Sequence, residues 1–331
     1  MNHGPEPLLA AHVDRLPRAL PPGVAEEVRT LSADATRVDR VAPLSEQPLM
    51  RLVGNNADVV HLMARDPGDL ALVGYAQVDL GSAVATAELV VAPQARRRHV
   101  GTVLLDAVRW EARPPTIPDK DGPGGSPGVR VWAHGDLPAA RCLAAAAGMP
   151  VVRELWQMRL ELGPGPTADV GPRRRRLPAG VTVRPFVPGQ DEDAWRRVNA
   201  RAFSSHPEQG RITRADLRAR EREPWFDPAG FLMAERDGVL LASIWTKVHP
   251  AGAHGDERVG EIYALGVDPD AQGLGLGGAL TSLGLEHLRG LGLRSVILYT
   301  EAENTVAIRT YARAGFIRSA VDVMFGSGTP G

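Results

Sequence analysis

The sequence repeats itself once, and that restricts its fold more than any other feature. Leu89-Val90-Val91-Ala92-Pro93-Gln94-Ala95-Arg96, followed by Gly101 and Leu104, aligns with Leu265-Gly266-Val267-Asp268-Pro269-Asp270-Ala271-Gln272, followed by Gly277 and Leu280. Each copy passes from an apolar, strand-like run through a Pro turn and a short Arg- or Gly-rich loop into a helical pattern. Farther on, Ala144-Ala145-Ala146-Ala147-Gly148-Met149 takes the place of Tyr311-Ala312-Arg313-Ala314-Gly315-Phe316. The wider spacing in the first copy is absorbed by a Pro/Gly-rich stretch at 114–128. Two divergent copies of one domain therefore fill the 331 residues, with no room for a solenoid of many short repeats.

The expected domains are a flexible N-terminal tail at 1–22, a first domain at 23–162, a Pro/Gly/Arg-rich linker at 163–179 and a second domain at 180–326. The linker reading rests on Gly163-Pro164-Gly165-Pro166 and on the run from Arg173 to Arg176, where apolar periodicity is missing. Such a charge run in a near-neutral chain reads first as a solvated spacer, with a nucleic-acid or lipid patch as the alternative.

In the second copy, strands are expected at 181–186, 231–235, 239–247, 261–267, 295–300 and 320–326, and helices at 191–203, 274–289 and 304–314. The first copy offers helices at 24–40, 46–53, 100–112 and 138–147, with strands at 59–65, 70–78, 83–91, 129–133 and 152–162. Each half is a mixed, mostly antiparallel sheet flanked by helices, an α+β architecture.

Composition excludes several classes of partner. A formal net charge of −1 provides no global field for nucleic acid or for an anionic membrane surface. No apolar run reaches the roughly 18 residues of a membrane helix, and the N-terminus lacks a secretory pattern. The single cysteine, Cys142, forms no internal disulfide, which fits a reducing compartment, so a cytoplasmic monomer is expected. Only Lys120 and Lys247 among 38 basic residues are lysines, a bias compatible with a GC-rich genome.

Gln272-Gly273-Leu274-Gly275-Leu276-Gly277-Gly278 joins a strand to a helix. Glycine lets backbone N–H groups approach a ligand closely, and the first-turn amides with the helix dipole favour an anion such as a pyrophosphate. Alone this is weak, since Gly-rich turns often only turn and dinucleotide folds also carry Gly-x-Gly after a strand. The loop lies late in its domain, however, and lacks the Lys-Ser/Thr of a nucleoside triphosphate loop.

Val267-Asp268-Pro269 with Gln272-x-x-Gly275-x-Gly277, then Asn304-x-x-Ala307-x-x-x-Tyr311-x-x-x-Gly315-Phe316, resembles the acetyl-CoA signature of the GCN5-related N-acetyltransferases. Longer stretches resemble tandem members of that family which acetylate the cysteinyl amine of a thiol sugar, cysteinyl-glucosaminyl-inositol. These are Val41 to Gln47, Ala87 to Arg98, His206 to Gly210, Trp225 to Pro228, Trp245 to Pro250 and Leu265 to Pro269. The resemblance implies acetyl-CoA as cosubstrate, no metal, and a strand that splays at Leu265, Gly266 and Val267 to meet the pantetheine arm. It adds Asn304, Thr305, Val306, Ala307, Ile308 and Arg309 to the loop residues 272–278 as acetyl-CoA contacts. It also implies a small-molecule thiol-sugar partner bound by Glu46, Glu208, Lys247, Glu261 and Tyr299, with Glu46 placing the acceptor between the two copies.

Direct acetyl transfer to an amine needs a proton acceptor, oxyanion stabilisation and an acid for the leaving thiolate. An α-amino group with a pKa near 8 is mostly protonated at neutral pH, so a base is useful. Glu261, at the expected start of the cofactor strand, is the candidate base or amine binder; its alternative is a solvated strand-end carboxylate. Tyr311, two helical turns after Asn304, is the candidate acid; its alternative is simple core. Lys247 stands out in a chain that avoids lysine.

The first copy has a second candidate acetyl-CoA site in Leu89, Val90, Val91, Arg96, Arg97, Arg98, His99, Val100 and Gly101, but His99 stands where Gly275 does and its Cβ narrows the approach. Ala85, Leu137 and Ala144 replace Glu261, Asn304 and Tyr311, so no chemistry is expected there. The same fold acting on an aminoglycoside or peptide amine, and a silent acyl-CoA sensor, are the competing functions. The polar set argues against the first, and an intact Glu261, Asn304 and Tyr311 against the second.

The histidines show no metal-ligand spacing, and His249 with His254 reads as polar loop. Cys142 reads as a small buried hydrophobe. Trp225 and Phe226 line the acceptor site or simply pack.

Overall fold

A computed structural model describes residues 12–54, 56–113, 128–163, 176–204, 207–252, 254 and 256–326. The tail before residue 12, most of the expected linker and Arg173 to Arg175 lie outside these described residues. In chain order the elements are β1 (His12–Pro17), α1 (Pro22–Asp39), α2 (Glu46–Met50), β2 (Val59–Arg65), β3 (Leu72–Asp79), β4 (Ala85–Val91), α3 (Val100–Glu111), β5 (Val129–Ala133), α4 (Pro138–Ala146) and β6 (Val151–Glu161). They continue with β7 (Thr182–Pro185), α5 (Glu192–Ala202), α6 (Pro207–Gly210), α7 (Arg214–Glu221), β8 (Phe231–Arg236), β9 (Val239–His249), β10 (Val259–Val267), α8 (Leu276–Gly290), β11 (Ser295–Glu301), α9 (Thr305–Arg313) and β12 (Ile317–Gly326).

Two compact units result, Met1–Glu154 with Val321–Gly331, and Leu155–Ala320. The first unit orders its strands β1-β2-β3-β4-β5-β12. All neighbours are antiparallel except β4 and β5, which run parallel from Ala85↔Val129 to Glu88↔Trp132. Residues 12–17, which the sequence leaves in a tail, pair antiparallel with β2 because their backbone groups complete its open edge. Apolar side chains of α1 and α3, among them Val28, Leu31, Leu104 and Val108, pack on Leu62, Ala64, Tyr75 and Ala76 of the sheet.

The second unit is ordered β7-β8-β9-β10-β11-β6. Its one parallel pair is β10 with β11, and β6 pairs antiparallel with β11, from Ser295↔Glu161 to Glu301↔Leu155. Each unit thus takes one strand from the other half of the sequence: β6 lies in the second, and the paired end of β12, Val323 to Gly326, lies beside β5 in the first. Local pattern finds such strands but carries no information about which sheet supplies the partner.

In the second unit α8 packs Leu276, Leu280, Leu285 and Leu288 onto Ile244, Ile262, Val296 and Leu298. The contact is close enough that a Cβ on Gly284 would lie 2.6 Å from Ile244 Cδ1. The other face carries an aromatic cluster. Phe231 stacks on Trp245 (centroids 4.5 Å apart) and on Phe186 (4.4 Å), and Trp195 meets Trp245 edge-on. Burying rings of this size, at roughly 25 cal/mol per Å² of apolar surface, is what anchors α5 and α7 to the sheet. Sequence pattern misses α7, whose mean face is polar; its start is nonetheless marked by a capping box between Thr213 and Asp216.

Candidate active site

The site is laid out by β9, β10 and β11. Glu261 stands opposite Lys247 on β9 and beside Ile297 on β11. Parallel pairing stops at Ile262↔Leu298, and a register shift between Ile262 and Ala264 bends β10 away. From Ala264 to Val267 the strand is held by β9 alone, so Leu265, Gly266 and Val267 turn one backbone edge away from any ladder partner. β10 begins at Val259, two residues before its expected start, because Val259 and Gly260 pair with His249 and Val248. Glu261 is therefore an interior strand residue, 7% exposed, rather than a solvated strand end.

Across the pair, β9 runs on to His249, two residues beyond the expected end. Trp245, Lys247 and His249 alternate, so His249 shares the face of Lys247. His249 Nε2 lies 2.5 Å from Glu261 Oε2, and the His254 ring meets the His249 ring edge-on at 4.4 Å. His249 is thus a strand residue rather than loop, as the period-two pattern signals, whereas His254 does lie in the loop that follows. Burial pushes the Glu261 pKa up, but the His249 hydrogen bond and the charges of His249 and Lys247 outweigh it and hold the pKa below the usual carboxylate range. Burial, with His249 adding to it, pulls His254 down to about 4.

The Lys247 ammonium sits 4.4 Å over the Trp225 ring and 5.3 Å over Tyr263, so two aromatic faces and the Glu261 carboxylate compensate a buried charge. Arg220 Nε donates to the Tyr263 hydroxyl at 2.7 Å and steadies that ring. Trp225 thus meets Lys247, whereas Phe226 packs edge-on against Phe186 and Trp245. On β11, Tyr299 accepts a hydrogen bond from Gln157 Nε2 at 2.8 Å. Glu208 lies in α6, and Glu46 opens α2 in the first unit.

The glycine loop has the backbone an anion requires. Gly273 (φ +80°) and Gly275 (φ +83°) are left-handed, and a Cβ at either would meet no atom within 4 Å. Gln272, Gly273, Leu274 and Gly275 are all exposed. The first helical bond of α8 runs from Ala279 N to Gly275 O, leaving the amides of Leu276, Gly277 and Gly278 without a helical acceptor. These open amides at a positive helix end fit the pyrophosphate of acetyl-CoA.

Asn304 is the N-cap of α9, its side chain accepting from Ala307 N at 3.0 Å. Two turns on, Tyr311 is buried, and burial raises its pKa to about 12. Thr305, Val306 and Arg309 remain exposed on the outer face of α9.

The first unit reproduces the scaffold with Ala85, Leu137 and Ala144 in the places of Glu261, Asn304 and Tyr311. Its loop keeps the left-handed backbone at Arg97 (φ +62°) and His99 (φ +63°), and His99 is the N-cap of α3 as Gly275 is of α8. Leu137 caps α4 without a side-chain hydrogen bond, seven residues before Ala144. A buried acid does occur there, three residues past Ala85. Glu88 accepts from Ser45 N and Ser45 Oγ at 2.6 Å, with His134 Nε2 3.5 Å away. Cys142 is exposed, because Ala144, two positions along α4, faces the core and a helix turns about 200° in two residues.

Among the described residues no group of three or more His, Cys, Asp or Glu could hold a metal ion, and no helix is long and apolar enough to cross a membrane.

Residues 195–316 match the model of the acetyltransferase (GNAT) family. A mycothiol acetyltransferase from Cellulomonas flavigena is 62% identical, over 93% of this chain and 87% of its own length. One from Geodermatophilus obscurus is 52% identical over 95% and 96%, and one from Streptomyces avermitilis 45% over 93% and 92%. Among solved structures, a tandem GNAT protein from the clavulanic acid biosynthesis pathway superposes with a TM-score of 0.68 at 20% identity, over 96% of this chain and 98% of that one. At that identity the likeness speaks for the fold, an α+β tandem of GNAT domains.

Proposed function

Because the chain belongs to the mycothiol acetyltransferases, N-acetyltransferases of the GNAT family, we propose that its second unit transfers the acetyl group of acetyl-CoA directly to the cysteinyl amine of cysteinyl-glucosaminyl-inositol. The observation that carries this reading is Glu261, buried on β10 where the strand parts from β11 and hydrogen-bonded to His249, on the strand that leads to the open glycine loop.

Acetyl-CoA is the cosubstrate and supplies the thioester. Leu276, Gly277 and Gly278 donate their free amides to its pyrophosphate, with Gln272, Gly273, Leu274 and Gly275 shaping the approach. Leu265, Gly266 and Val267 offer the unpaired backbone edge of β10 to the pantetheine arm. The segment from Asn304 through Thr305, Val306, Ala307 and Ile308 to Arg309 flanks the thiol end, its helix start fixed by the Asn304 cap.

Glu261 binds the protonated amine and takes one proton, and the freed nitrogen lone pair attacks the thioester carbonyl. As the adduct collapses the C–S bond breaks, the thiolate leaves, and the nitrogen gives up its second surplus proton to solvent to become the amide. Tyr311 then meets the departing thiolate. A phenol near pKa 12 facing a thiol near 8.5 would transfer its proton at a loss of roughly 5 kcal/mol, at about 1.4 kcal/mol per unit. Tyr311 therefore stabilises the thiolate by donating a hydrogen bond while keeping its proton, until solvent supplies one. Lys247, Tyr299 and Glu208 bind the sugar and inositol hydroxyls, where an unpaired polar group would weaken binding by about 1–3 kcal/mol.

The first unit, with Ala85, Leu137 and Ala144, is non-catalytic. Its left-handed loop at Arg96, Arg97, Arg98, His99, Val100 and Gly101 retains the shape for a second acetyl-CoA.

The deciding experiment incubates purified protein with acetyl-CoA and either cysteinyl-glucosaminyl-inositol or a panel of aminoglycosides and peptide amines, and follows the acetylated product by mass. A preference of a hundredfold or more in kcat/KM for the thiol sugar is expected. A better turnover with another amine would replace the assigned acceptor.

A further inference from the structure

We propose that His249 is a positioning residue for the proton acceptor: it donates Nε2–H to Glu261 Oε2, fixes the carboxylate, and leaves Oε1 as the oxygen that takes the proton of the acceptor amine. This rests on the assignment of Glu261 as base.

The geometry is specific. Both residues lie on strands locked in register, with Val259 opposite His249 and Glu261 opposite Lys247, so the pair is a diagonal cross-strand contact on one face. The 2.5 Å separation is that of a strong charge-assisted hydrogen bond. Both side chains are nearly enclosed, 13% and 9% exposed. A carboxylate can only accept, so with Glu261 ionised the proton in this bond resides on His249 Nε2. His254 packs its ring edge on His249 and limits how that ring can turn.

The groups facing Glu261 are Lys247 and His249 from β9 and His254 from the following loop, with Arg159 of β6 acting on His254. Burial alone pushes the Glu261 pKa up and makes the carboxylate harder to keep charged; the His249 bond is the first influence that opposes it. In the reaction the amine N–H bond breaks and the Oε1–H bond forms, while the lone pair stays on nitrogen for attack. His249 changes neither its protons nor its partner in that step.

The test compares wild type with His249→Phe, which keeps a ring against His254 but has no donor, and His249→Gln, which keeps an N–H donor. The acid limb of kcat/KM for the acceptor is recorded for each, together with the acetyl-CoA KM. His249→Phe is expected to lower acceptor kcat/KM at pH 7 at least tenfold and to move the acid limb up by a unit or more. The acetyl-CoA KM should stay within twofold, and His249→Gln should recover most of the activity and bring the limb back. His249→Ala provides the same donor loss if the phenylalanine fails to fold. Donor-less variants with an unmoved limb would overturn the proposal, provided Glu261→Gln removes turnover. A Glu261→Gln enzyme with full turnover would instead overturn the assignment of the base itself.

Discussion

Lys247 and Glu261 face each other across the β9–β10 pair, one charge held over the rings of Trp225 and Tyr263 and the other against His249. The lysine is presented by packing rather than left to solvent. Lys247→Ala should raise the acceptor KM tenfold or more, about 1.4 kcal/mol, while the acetyl-CoA KM moves less than twofold. Steady-state kinetics with each substrate varied in turn decide it; equal rises would remove Lys247 from the acceptor site.

Tyr311 has its pKa raised to about 12 by burial, so it stays protonated throughout the working range. Tyr311→Phe should lower kcat about a hundredfold, within the usual span for a lost general acid or hydrogen-bond donor. Wild type should show no fall in kcat between pH 8 and 10 that disappears in the variant. A phenylalanine enzyme with full turnover would exclude Tyr311 from the thiolate step.

Gly275 adopts φ +83° in open space, so backbone conformation rather than room sets its requirement. A β-branched residue there carries a penalty of roughly 1–2 kcal/mol and tilts the amides of the α8 start. Gly275→Val should raise the acetyl-CoA KM about tenfold and spare the acceptor KM, as read by initial rates and by calorimetric titration of acetyl-CoA.

In the first unit His134 lies between Glu88 and Asp322, with Nδ1 3.2 Å from Asp322 and Gly135 N donating to the same carboxylate at 2.7 Å. Burial lowers the His134 pKa, but Glu88 and Asp322 raise it further, to about 10, against an ordinary value near 6.5. The folded pKa is the higher one, so the stabilisation is complete below pH 6.5 and fades as pH rises through 10. His134→Gln should lower Tm markedly at pH 6, and the gap to wild type should shrink by pH 10. A gap independent of pH in thermal melts would show that His134 is neutral in the fold.

Much of this is legible in the sequence. The doubled segment at Leu89 and Leu265, the Pro turn and the glycine loop are local features, and local features dictate strand–loop–helix units through backbone conformation alone. The helix that carries Tyr311, with Asn304 at its start, was readable for the same reason, whereas the roles of the two residues came from the family resemblance. Hidden were β1, which has meaning only against the edge of β2, and His249, whose strand looked finished at Lys247.

The sequence by itself determined that one fold occurs twice, that only the second copy carries Glu261, Asn304 and Tyr311, and where the glycine loop lies. Tertiary structure alone decided that β6 completes the second sheet and the end of β12 the first, because ladder hydrogen bonds join residues far apart in the chain. It alone brought His249 to 2.5 Å from Glu261, through a strand register that no single strand encodes. The lowered pKa of Glu261 follows in large part from that contact, since the pKa of a buried carboxylate depends on what is packed against it and not on its place in the sequence.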